Sequence, residues 1–137
     1  MFSFFKKSAN LKAAIAAVNK DGSVANNRAF QAALAECVLY VAAQDVPENW
    51  RGTVVLQQEI TLPVLTSEAP GGGVALLCFS EVAEVKSRTG NESCFGLRLQ
   101  GINELVEKHG YAGIIVNPSG PWAALSASDL RSLVSKK

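Results

Sequence analysis

One histidine, His109, and three cysteines, Cys37, Cys78 and Cys94, are the side chains of this 137-residue chain best suited to nucleophilic, acid–base or metal chemistry. A catalytic base needs a nucleophile or an orienting acid within reach, and no residue near His109 in sequence supplies one. The cysteines stand in apolar runs, form no C-x-x-C pair and are odd in number, which suits neither a disulfide framework nor a zinc site. They read as buried free thiols of a reducing, cytoplasmic environment. The phosphate-cradling G-x-x-x-x-G-K-[ST], the dinucleotide G-x-G-x-x-G and the nucleophile elbow G-x-S-x-G are all missing. Gly71-Gly72-Gly73 precedes a strand instead of a helix N-terminus, so it reads as a hairpin connection and not as a phosphate loop. No catalytic residue, metal ligand or cofactor is assigned.

The remaining polar candidates sit at expected strand ends, where ligands of α/β proteins often bind. Phe79 and Ser80 close one apolar run and Asn117 and Ser119 follow another, so these four are the candidate ligand-binding residues. The plainer reading of Asn117 is turn-making: Asn117-Pro118-Ser119-Gly120 matches a type I turn, and the proline holds the preceding residue extended. Glu81 with Glu84, and Glu104 with Glu107, read as solvated helix faces. Trp50 and Trp122 lie in loop-like surroundings and either fold over a sheet end or anchor a partner.

Those residues must be positioned by a mixed set of elements. Ser8 is placed to cap a helix running to about Asn19, with Leu11, Ile15 and Val18 inward and Gly22 in the left-handed position after it. Asn26 or Asn27 caps a second helix with Phe30, Leu34 and Cys37 on one stripe. It passes almost directly into the strand Cys37–Ala42. Strands follow at Thr53–Leu56 and Ile60–Leu65, then a flexible connection over Ser67–Gly73, then the wholly apolar strand Val74–Phe79. Ser80 caps a helix with Val82, Ala83 and Val85 inward. Phe95, Leu97 and Leu99 alternate as a strand with one buried face. A helix near 101–109 ends at Gly110, a buried strand spans Gly113–Val116, and Trp122–Leu125 pairs as a short strand. Ser126 to Asp129 opens a last helix with Leu130, Leu133 and Val134 inward. The result is an α/β (α+β) single domain, a mixed β-sheet with helices packed on it.

Thirteen Lys and Arg balance twelve Asp and Glu, a net charge of +1 without basic runs, so nucleic acid is not an expected partner. No apolar stretch reaches the roughly 20 residues of a membrane span. The start, Met1-Phe2-Ser3-Phe4-Phe5-Lys6-Lys7, lacks the plan of a secretory signal. Its Phe2, Phe4 and Phe5 either dock on the domain's own core or, with Trp122, form a partner contact.

The runs Val74 to Ser80, Leu105 to Gly110 and Gly113-Ile114-Ile115-Val116-Asn117-Pro118 resemble the SseB N-terminal domain family, named for the enhanced serine sensitivity protein. Leu34 to Val41 resembles the family's helix-to-strand passage. The likeness divides the chain into a helical extension, residues 1–25, and a family-like core, residues 26–135, within one domain. Phe79-Ser80-Glu81 departs from the Phe-Thr-Ser usual in the family. The resemblance brings no agreed catalytic residues and no cofactor.

The expected function is that of a non-enzymatic α/β module acting through a protein partner or a homo-oligomer. Two alternatives stand beside it. One is a small-metabolite binder related to amino acids, and the other an accessory protein of type III secretion, against which the net charge of +1 argues because such chaperones are usually acidic dimers.

Overall fold

The computed structural model describes residues 2–44, 46 and 64–135, with the backbone alone for residues 2–9. Two helices open the chain, α1 (Phe2–Lys20) and α2 (Val24–Ala35). Helix α1 is already formed at Phe2, upstream of the Ser8 start expected from capping. Ser23, not Asn26 or Asn27, caps α2, its Oγ accepting from Asn26 N at 3.2 Å. The asparagine amides instead serve the end of α1: Asn26 Nδ2 donates to Ala17 O and Asp21 O, and Asn27 Nδ2 to Gly22 O. With those carbonyls satisfied by side chains, Gly22 is not among the residues that adopt a left-handed conformation.

Strand β1 (Val38–Ala42) leaves α2 after Cys37, and β2 (Thr66–Glu68) and β3 (Val74–Cys78) form a hairpin. The expected strands at Thr53–Leu56 and over most of Ile60–Leu65 lie outside the described residues. Part of the expected flexible connection is instead strand β2. Helix α3 (Val82–Thr89), strand β4 (Cys94–Arg98) and helix α4 (Leu99–His109) follow, then β5 (Gly113–Val116), β6 (Ala123–Ser126) and α5 (Ala127–Ser135). Leu99 and Gln100 begin α4 and do not extend β4, because Arg98 turns extended at φ −70°, ψ 160° and the helix starts at once. Gly90 and Gly110 end their helices in the left-handed conformation, as their positions suggested.

The sheet is mixed. β2, β3, β5 and β6 lie in that order, with β3 and β5 parallel and the outer pairs antiparallel, while β1 and β4 form an antiparallel ribbon. Reciprocal bonds join ribbon and sheet, Tyr40 N to Phe79 O at 2.8 Å and Phe79 N to Tyr40 O at 2.9 Å.

Period-two alternation then sorts side chains into two interiors. Leu39, Val41, Leu76, Cys78, Phe95, Leu97, Ile114, Val116, Ala123 and Leu125 face the larger one, closed by Leu11 and Ile15 of α1, Phe30 and Leu34 of α2, Ile102, Leu105 and Val106 of α4, and Leu130 of α5. Ala42, Ala75, Leu77, Phe79, Cys94 and Ile115 face the smaller one, with Val82 and Val85 of α3. β4 is therefore covered on both faces, not on one, since Cys94 and Gly96 are as buried as Phe95 and Leu97. Leu11 and Ile15 are fully buried, each worth about 1.5–3 kcal/mol, so α1 is part of the core rather than an appendage.

Candidate functional site

The carboxyl ends of the parallel strands β3 and β5 lie side by side, Cys78 opposite Val116, and the chain leaves each at a polar residue. Ser80 and Asn117 are both buried there, two of the three buried polar side chains among the described residues. The Asn117 amide is committed at both ends. Its Oδ1 accepts from Ser80 N at 2.9 Å and its Nδ2 donates to Ser80 Oγ at 3.0 Å. The main chain continues the clamp, with Asn117 N donating to Cys78 O at 2.9 Å and Gly120 N to Asn117 O at 3.3 Å.

The expectation that Pro118 keeps Asn117 extended is overturned. Asn117 has φ 56°, the one positive φ outside glycine among the described residues. Asparagine tolerates that region better than most residues, and the two amide bonds over-determine it. Ser80 does not cap α3. Glu81 is the cap residue, in extended conformation and without a side-chain capping bond, while the Ser80 hydroxyl is drawn to Asn117. Ala83, expected inward, is exposed.

Phe79 is fully buried in the smaller interior, and Ser119 is exposed in the turn. Of the four candidate residues the structure thus brings Ser80 and Asn117 into contact and sets Phe79 beside them in the core. No hydrogen bond joins Ser119 to the other three. Trp122, just before β6, is 44% exposed. The side chains of Phe2, Phe4 and Phe5 lie outside the description.

Among the described residues no titratable side chain is hydrogen-bonded to Asn117. Glu81, next in sequence, accepts from Lys12 Nζ at 3.0 Å, and Glu84 does so at 2.9 Å, tying α3 to α1. The hydrogen bond to Glu84, with that to Glu81, raises the Lys12 ammonium above its ordinary value. His109 ends α4 and stacks on Tyr111, ring centroids 5.3 Å apart. Tyr111 leads into the amino end of β5 and Asn117 leaves its carboxyl end, a span of about 20 Å at strand rise. A Ser80–His109 relay is therefore ruled out by the direction of one strand.

The thiols are equally remote from chemistry: all three are buried and outside any disulfide, and burial pushes Cys78 far above the ordinary thiol range. Among the described residues no group of His, Cys, Asp and Glu could hold a metal ion, and no helix is long and apolar enough to cross a membrane.

Sequence reasoning missed Asn103. It is buried on α4, with Nδ2 reaching Glu107 Oε1 at 3.4 Å and Oδ1 without a hydrogen-bond partner. Its place between Ile102 and Val106 was the signal, since a residue there shares the helix's inward stripe.

With an apolar strand, an amide clamp and an Asn-Pro turn in place, the profile of the SseB protein N-terminal domain can be set against the chain, and it matches residues 11–132. The chain belongs to the SseB N-terminal domain family. The match opens at Leu11, a fully buried residue of α1, so α1 is shared with the family core from that residue on. Comparison with curated proteins and with solved structures gave no match.

Proposed function

We propose that this SseB-family domain is a non-enzymatic module that works by associating with another polypeptide, its own copy included. The observation that carries the reading is the contrast at the carboxyl ends of β3 and β5. The Asn117 amide there is turned inward onto Ser80, whereas the large apolar Trp122 near the same end stays on the surface. A reacting group must be presented to substrate, while a docking surface needs exposed aromatic area. Sedimentation and light scattering over a wide concentration range test the reading on the full chain. Growth of a dimer with concentration is the expected result, and a monomer throughout removes self-association.

A small-metabolite site is the second reading, favoured by the positive φ of Asn117 at the end of a parallel strand pair. A thermal-shift panel of amino acids and related metabolites tests it, since a ligand at 100 times its Kd stabilises by about 2.7 kcal/mol. Silence across the panel retires it.

A further inference from the structure

We draw no further inference here: the strongest candidate, the surface patch at the half-exposed Trp122 just before β6, is an apolar face for which nothing in the structure shows what covers it.

Discussion

Asn117 is the residue on which most depends. It accepts and donates across to Ser80, and it does so from a backbone conformation that L side chains avoid. Two substitutions separate those contributions. Asn117→Ala removes both amide bonds and leaves the unfavourable φ, an expected loss of about 2–4 kcal/mol in urea denaturation. Asn117→Gly removes the same bonds and relieves φ, and should be more stable than Asn117→Ala by about 1 kcal/mol. An equal loss in both would mean that φ 56° carries no strain. Asn103 behaves in the opposite sense. Its Oδ1 is buried and unpartnered, so Asn103→Leu should stabilise the chain by about 1 kcal/mol, read as a rise in the urea midpoint. The sequence placed Asn117 at a strand end and read it as turn-forming, as the Gly120 N to Asn117 O bond shows it to be. What it could not show was the reach to Ser80, which depends on the parallel pairing of two strands distant in the chain. The amide competes successfully for the Ser80 hydroxyl that a helix cap would otherwise use.

Elements differ in how far local pattern decided them. α4 and α5 carry inward stripes, and Gly110 and Ser126 end and begin them as their types require; Ser126 Oγ accepts from Asp129 N at 3.1 Å. β4 was read as half-buried because its polar positions are Gly96 and Arg98, yet Gly96, paired with Tyr40 of β1, is buried. Burial of a glycine leaves no hydropathy signal. Gly113 is the sharper case. A Cβ there would come within 2.1 Å of Leu125 O and 2.9 Å of Ser126 Cα, so β5 and β6 approach only because residue 113 has none. Gly113→Ala should cost about 3 kcal/mol or more, or abolish soluble folding, measured against Gly120→Ala, where a Cβ meets nothing. The tie between α1 and α3 is weaker. Lys12 is 43% exposed, so its pairs with Glu81 and Glu84 are worth under about 1 kcal/mol. Its raised ammonium pKa means this contribution is whole at neutral pH and disappears as pH climbs past the ordinary lysine value of 10.5 through the folded one. Lys12→Met should therefore lower the urea midpoint slightly at pH 7 and leave it unchanged from wild type at the alkaline limit.

At the scale of the whole molecule, the two interiors lie on opposite faces of strands that both interiors share, which bears on how the chain opens. Cys37 and Cys78 line the larger interior and Cys94 the smaller one, and the three belong to the α2–β1 junction, β3 and β4. Each is under a tenth exposed, and burial holds the Cys78 thiol protonated well into alkaline solution. A thiol reagent should therefore find none of them in the native chain except through opening, and its rate reports the free energy of the opening that exposes each site. The β1–β4 ribbon is held to β3 by the Tyr40–Phe79 pair, while β3 and β5 lie between neighbours inside their sheet. If opening is global, mass-resolved labelling under native conditions will modify all three at one rate, and added urea will speed them alike. If the ribbon detaches first, Cys94 will label ahead of Cys78 with a smaller urea dependence, because less surface is exposed in its opening. Reciprocal main-chain bonds at Tyr40 and Phe79, with β4 covered on both faces, favour the first outcome: loosening the ribbon would expose both interiors together. The expected result is a common rate for Cys78 and Cys94, and a Cys94 rate tenfold faster would show that ribbon and sheet are separable units.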